Sequence, residues 1–302
     1  MKKFLIATTA LALTAGAAAA EVKVSGDGRM GIYFDGNDAQ FSSRIRAKFT
    51  MTGETDGGLA FGGSFRVDHQ DEAGGKASAG TAGSVYISGA FGKLEMGDVV
   101  SASEAAIGDL ASVGYGPMAT YNEWAYLTGD GANLNQGPNV LYSYSTGALS
   151  LYASMTDGDQ IVGGDDAIGG VPLNTEVAYS LAAAYAMGDY TVALGYADNG
   201  TATEIGLGGS ATFGAVTVKA AYFDYDDAAV EKAYGLSAVY KANALSVSGY
   251  YNTYEDLAGA NWDTFGVGAA YDLGGGATLA GGIVDSDFEA DTIADFGIKF
   301  SF

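Results

Sequence analysis

The chain has no cysteine, one histidine, three prolines and two tryptophans among its 302 residues. Without cysteine there is no disulfide to staple the fold, and no thiolate to act as nucleophile or metal ligand. With His69 as the single histidine, no Cys/His or multi-histidine metal centre can be assembled. A Ser-His-acid hydrolase would have to use His69, and nothing beside it points to one. Cations are scarce as well: 14 Lys and Arg stand against 36 Asp and Glu, a formal charge of −22. That deficit argues against nucleic acid as a partner, because phosphate binding needs a basic footprint. It suits a surface that meets cations. After residue 20 no run reaches the ~18 consecutive apolar residues of a membrane helix, which excludes a helical membrane protein.

What is abundant is Gly, with 47 residues, and Tyr, with 20. Together with so little Pro, this is unlike a disordered tract. The first 20 residues, MKKFLIATTALALTAGAAAA, have a basic start, an apolar middle and a small-residue cleavage site, the pattern of a secretory signal peptide. Residues 21–302 then form the mature domain. Without Lys2 and Lys3 it holds 12 basic residues against 36 acidic ones, a charge of −24.

The stretch FSSRIRAKFTM (41–51) sets the pattern for the rest. Phe41, Ile45, Ala47, Phe49 and Met51 share one parity, and Ser42, Arg44, Arg46, Lys48 and Thr50 the other. In a strand these point to opposite faces, one apolar and one cationic. Similar alternation recurs along the chain, giving sixteen candidate strands, with a different stretch at about 99–139. Tight turns at Gly92-Lys93, Gly214 and Gly274 to Gly276 appear to one side of longer connections at 157–175, 224–231 and 254–262. A soluble sandwich or β-helix also alternates. Three features favour a transmembrane barrel: an apolar parity rich in Tyr opposite a charged parity, the short and long connections, and a final strand ending on Phe302. Tyr179 and Tyr185, Tyr190 and Tyr196, and Tyr234 and Tyr240 bracket apolar stripes, as interfacial aromatic girdles do. An even strand count puts both termini on one side, here the periplasm.

Five of the twelve mature basic residues, Arg29, Arg44, Arg46, Lys48 and Arg66, fall on the polar parity of the first three strands. In a soluble sheet they would be a solvated outer face. In a barrel they form a cationic patch on the inner wall, and like charges so placed need compensation from water or anions. The stretch 99–139 holds Glu104, Asp109, Glu123 and Asp130, and SASEAAIGDL (101–110) can form a short helix. A connection of this length is usually functional. It is expected to fold into the lumen and face the unpaired arginines, rather than lie exposed outside.

Other motifs carry less. Gly26–Gly31 is a literal GxGxxG, but strand and turn residues follow it instead of a helix, so it is accidental. Asn199-Gly200-Thr201 matches a glycosylation sequon that a bacterial signal peptide makes moot. Asp224, Asp226 and Asp227 lack the EF-hand pattern and solvate a loop; bridging lipid phosphates through divalent cations is the functional alternative.

The mature start EVKVSGDGRMGIYFDGND, the strand FSSRIRAKFTMTG, the segment SGAFGKLEMGD, the loop opening SASEAAIGDL and the ending DFGIKFSF together resemble the general diffusion porins of purple photosynthetic bacteria, the Rhodobacter type. The resemblance implies an all-β, 16-stranded antiparallel transmembrane β-barrel with a long inward-folded third extracellular loop, assembled as a homotrimer. It implies residence in the outer membrane of a Gram-negative bacterium, among lipid and lipopolysaccharide. It also implies an eyelet in which Arg29, Arg44, Arg46 and Arg66 belong to a basic wall, with Asp98, Glu104 and Asp109 on or near the acidic loop. The family binds calcium near this loop. No cofactor is required for passive diffusion of small hydrophilic solutes and ions, the function expected here. A barrel enzyme and a non-conducting structural barrel are the competing readings.

Overall fold

The computed structural model describes residues 20–71, 77–78, 83–128, 140–156, 177–226 and 228–302. The expected signal peptide (apart from Ala20), the loop 157–175, Asp130 and Asp227 lie outside them. Sixteen long strands run antiparallel, each bonded to its neighbours in sequence: β1 (Glu21–Phe34), β2 (Ala39–Glu54), β3 (Ala60–Asp71), β5 (Gly83–Gly89), β6 (Gly92–Gly97), β7 (Val140–Thr146), β8 (Leu149–Met155), β9 (Tyr179–Met187), β10 (Tyr190–Asp198), β11 (Thr203–Phe213), β12 (Val216–Asp226), β13 (Val230–Ala242), β14 (Leu245–Asp256), β15 (Asn261–Gly274), β16 (Ala277–Ser286) and β17 (Ile293–Ser301). A two-residue strand, β4 (Ala77–Ser78), pairs with the end of β3. The last strand pairs with the first, Asp27 opposite Ser301 through Phe34 opposite Ala294, which closes the sheet into a barrel. Closure leaves no free edge, so every strand has hydrogen-bonding partners on both sides.

Alternation decides which face is which. Leu194, Leu207 and Leu236 are each more than half exposed, while Ala193, Gly206 and Ser237, their chain neighbours on the opposite parity, are buried or turned inward. The exposed stripe is the greasy one, so the barrel presents hydrocarbon outward, the inversion that a lipid surround demands. Gly26–Gly31 lies within β1 and adopts no dinucleotide turn. His69 sits exposed on the outward parity of β3.

One end of the barrel is made of tight turns. Gly147, Gly188, Gly214 and Asn243 each open a two-residue connection with a left-handed backbone, φ between 52° and 64°. Gly and Asn adopt that conformation at little cost, and such turns match the strand twist. The other end is less regular than the sequence led one to expect. The connections at 224–231 and 254–262 shrink, because β12 runs on to Asp226, β13 starts at Val230, β14 continues to Asp256 and β15 starts at Asn261. The backbone ladder does not stop where the apolar stripe does: Asp224 opposite Lys232 is still a register pair. Polar residues therefore extend the strands beyond the hydrophobic band.

The third connection at that end, between β6 and β7, is the long one. It turns into the barrel. Its short helix α1 (Ala102–Ile107) is capped by Ser101, whose Oγ accepts from Glu104 N–H at 3.1 Å. Ile107, Leu110, Val113, Met118, Trp124 and Tyr126 form an apolar cluster with inward-facing Ala193, Ala221, Phe223, Tyr225, Tyr250, Tyr254 and Val284. The hydrophobic core thus lies between a loop and the inner wall.

Two substitutions on β11 separate the faces. Leu207→Arg, outward at mid-strand, is expected to destabilise the barrel by about 2–4 kcal/mol, while inward Ser210→Arg costs far less. Guanidinium unfolding in lipid vesicles reads both; equal costs would contradict the assignment of faces.

Candidate functional site

The lumen is shaped by where the loop seats. Outbound, it crosses the wall strand by strand. Ala102 N–H donates to Ser154 Oγ on β8 at 2.9 Å, and Ser103 N–H to Ser180 Oγ on β9 at 3.0 Å. Lys219 on β12 donates to the Asp109 carbonyl at 2.6 Å, Ala111 N–H to Ser237 Oγ on β13 at 3.0 Å, and Ser248 Oγ on β14 to the Ser112 carbonyl at 2.9 Å. Tyr115 N–H reaches Asp295 on β17 at 3.1 Å. The chain then reverses at Gly116 to Thr120 and returns: Asn252 on β14 donates to the Tyr121 carbonyl, Ala125 N–H to Tyr254 Oη, and Leu127 N–H to buried Glu204 on β11 at 2.6 Å. A loop inside a barrel cannot leave its backbone groups unpaired against a dry wall. Here inward Ser, Asn, Tyr and carboxylate side chains meet them one by one.

The loop's contacts span β8 to β17, pass Arg29 on β1 and end where the Tyr115 hydroxyl donates to the Ser42 carbonyl on β2 at 3.5 Å. The inner faces of β2 and β3 front the open lumen. There Arg44, Arg46 and Lys48 alternate with outward residues, and Arg66 stands opposite Lys48 in the ladder. The sequence led one to expect the loop's acids to balance these cations. The structure pairs them on the wall itself. Arg44 contacts Asp27 at 2.7 Å, Arg46 grips Asp68 with two bonds of 2.8 Å each, and Arg66 approaches Asp68 at 3.4 Å. The Arg46–Asp68 fork is the strong geometry for such a pair, and both side chains are largely covered, at 21% and 12% exposure. Arg44, Arg46 and Arg66 share Asp27 and Asp68, while Arg29 has Asp295 and Lys48 has Glu95 in its neighbourhood, so the patch holds more cations than carboxylates. Lys93 and Glu95 on β6 add a pair at 2.5 Å beside it. Asp27 and Asp68 were visible in the sequence as polar-parity residues, whereas Lys93, expected in a tight turn with Gly92, lies in β6, the turn falling just before Gly92; parity says nothing of who pairs with whom.

The acidic positions are engaged differently from one another. Asp98 leaves β6 with its N–H on the Gly83 carbonyl at 2.9 Å. Glu104 is half-buried on α1. Asp109 Oδ1 accepts from Trp124 N–H at 3.0 Å, tying the two arms of the loop together beside β12, across the ring from β2 and β3. Burial pushes the Asp109 carboxyl above its ordinary range, and burial followed by the charge of Asp109 does the same to Glu123. Among the described residues no three of His, Cys, Asp and Glu converge to hold a metal ion. Sequence reasoning missed Glu204, Lys219 and Asp295; the only signal was a charged residue on the inward parity of an otherwise small and apolar strand.

A closed sheet, grease outside, charge inside and a loop narrowing the bore define a membrane-spanning channel barrel. The Gram-negative porin family model matches residues 7–291. The chain is 41% identical to a porin of Rhodobacter capsulatus, over 93% of this chain and all of that one, and 28% identical to a porin of Fuscovulum blasticum with the same coverage. A porin structure refined at 1.8 Å superposes with a TM-score of 0.78 at 40% identity, covering 93% of this chain and all of the other. A multiply substituted Rh. blastica porin, 21% identical over the same shares, matches the fold with a TM-score of 0.72. The chain belongs to the Gram-negative porin family and is an outer-membrane protein.

Carboxyl-carbon NMR in micelles should separate three loop acids. Asp109 and Glu123 titrate above the ordinary carboxylate range of about 4. Asp35, exposed in the β1–β2 turn, titrates below it, because the N–H groups of Asp38 and Asn37 hydrogen-bond its charged form. For Asp109 and Glu123 the folded chain holds the proton more tightly than the unfolded one, so their contribution to stability falls as pH rises through the raised values. A single common midpoint would contradict this burial.

Proposed function

We propose that the chain is a passive diffusion channel whose eyelet is bounded by the basic wall of Arg29, Arg44, Arg46, Lys48 and Arg66 on one side and by the inward loop with Asp98, Glu104 and Asp109 on the other. The observation that carries this is the seating of the loop along β8 to β17, which leaves the cationic strands fronting the bore. Solutes move down their own gradients. A transverse field between unlike walls orders water in the constriction and disfavours apolar solutes, which cannot replace the polar contacts they displace. No catalytic step belongs to this reading; His69, on the outer face, offers the lumen no base. The loop end of the barrel faces outward from the cell and the tight-turn end the periplasm, through which residues 1–20 direct export.

The assembly we propose is a homotrimer embedded in lipid and lipopolysaccharide. Outward tyrosines and a tryptophan mark the strands β9 to β15: Tyr179, Tyr190, Tyr222, Tyr240, Trp262 and Tyr271 among them. On β16, β17 and β1 to β3 the exposed large side chains are Val, Ile, Leu, Met and Phe, with neither Tyr nor Trp. Interfacial aromatics belong where a wall meets the lipid–water boundary, so the arc without them supports contact with a neighbouring copy. Chemical cross-linking of membranes should stop at three chains, and Ile45→Arg on that arc should reduce the product to single chains.

Neutralising Arg44 and Arg46 together, as Gln, removes two cations, takes the ion-pair partner from Asp27 and leaves Asp68 with the longer contact to Arg66. The reversal potential across a planar bilayer under a salt gradient should shift towards cation selectivity. An unchanged potential would sink the wall assignment, while loss of conductance in the unaltered protein would sink the channel itself.

A further inference from the structure

Where the loop tip crosses β15 to β1, glycines line the inner wall. Gly268 is the register partner of Gly282, Gly282 of Asp295, and two residues along β17 Gly297 pairs with Gly31. The segment Val113–Gly116 lies on this track. A Cβ on Gly282 would fall 2.7 Å from Gly114 N, and one on Gly31 or on Gly297 2.9 Å from the Tyr115 ring. No side chain fits beneath the loop there. Asp295, 6% exposed, is the one left in place. Both of its oxygens accept from Tyr115 N–H at 3.1 Å, and Oδ2 also accepts from Gly116 N–H at 3.3 Å. Gly114, with φ +80°, lies so close that a Cβ would sit 2.4 Å from Oδ1. On the far flank a Cβ on Gly116 would sit 2.2 Å from Arg29 Nη1. The tip is therefore held by one carboxylate and one socketed ring, with the Arg29 guanidinium packed against its far flank, at the point where the loop turns back.

We propose that Asp295 is a positioning residue that keeps the channel open: its carboxylate pins the loop tip flat against β17, with Tyr115 seated between Gly31 and Gly297 as the second fastening. This rests on the reading of the loop as the constriction. The direction follows from the available volume. The wall behind the tip is filled, so a released tip moves only into the lumen. Hydrogen bonds to an ionised acceptor are the strong ones, and removing the charge weakens all three together.

Single-channel recording tests this on individual folded channels, so that loss of folded protein does not imitate the effect. Asp295→Asn keeps the size of the side chain and removes its charge; Tyr115→Ala empties the socket and leaves Asp295 untouched. Each is expected to add brief closures, raising the population of the reduced-conductance level by roughly tenfold or more. In liposome swelling each should slow large sugars more than small ones, whereas a lower yield of protein slows all sugars alike. Asp285→Asn, on the outward parity of β16, should behave as the unaltered protein. If either Asp295→Asn or Tyr115→Ala conducts with the unaltered level, noise and size dependence, the proposal is overturned. A silent unaltered protein would instead overturn the channel reading on which it stands.

Discussion

Everything in this molecule depends on the hydrogen-bonded seam between β1 and β17. A sheet left open in a bilayer would expose two rows of backbone groups to hydrocarbon, each costing several kcal/mol. The pairing from Asp27–Ser301 to Phe34–Ala294 removes both rows at once. It also gives each strand an inside and an outside, so a side chain's parity fixes its solvent. Leucines can then face lipid and arginines water on the same strand, separated only by the thickness of a backbone.

The interior solves a second problem of the same kind. The inward loop brings its own backbone donors and acceptors to a wall already satisfied by its ladders. Apolar contacts such as Ile107 over the glycines of β11 and Trp124 against Phe223 and Tyr254 provide burial. The polar groups are met by single inward side chains, a serine on each of several strands and buried carboxylates on β11 and β17. The opposite wall is organised by charge: the fork between Arg46 and Asp68 holds two strands' side chains in register and still leaves cations in excess. One side of the bore is thus lined by packed loop and the other by the ion-paired side chains of the wall.

How much of this the sequence disclosed follows from which facts are local. Parity is local, so the sixteen strands, the outward stripe of Leu207 and Leu236 and the inward row Arg44, Arg46 and Lys48 could all be read from it. Strand ends were read too short at 224–231 and 254–262, because the apolar stripe stops before the ladder does. Asp27 and Asp68 share the parity of the arginines, but only register shows that Arg46 faces Asp68. Asp295 was invisible as an anchor. Its role exists only when Tyr115, 180 positions earlier, arrives beside it.

That separation bears on how the barrel comes into being. The loop begins straight after β6, yet its docking points lie on strands up to β17, so the residues that narrow the passage are synthesised long before the surface that receives them. Loop-closure entropy sets non-local contacts of this range late in any folding sequence. A nascent cylinder missing its final strand would lack the receptor for Tyr115 and Gly116, and the aperture would acquire its finished outline only with the last seam.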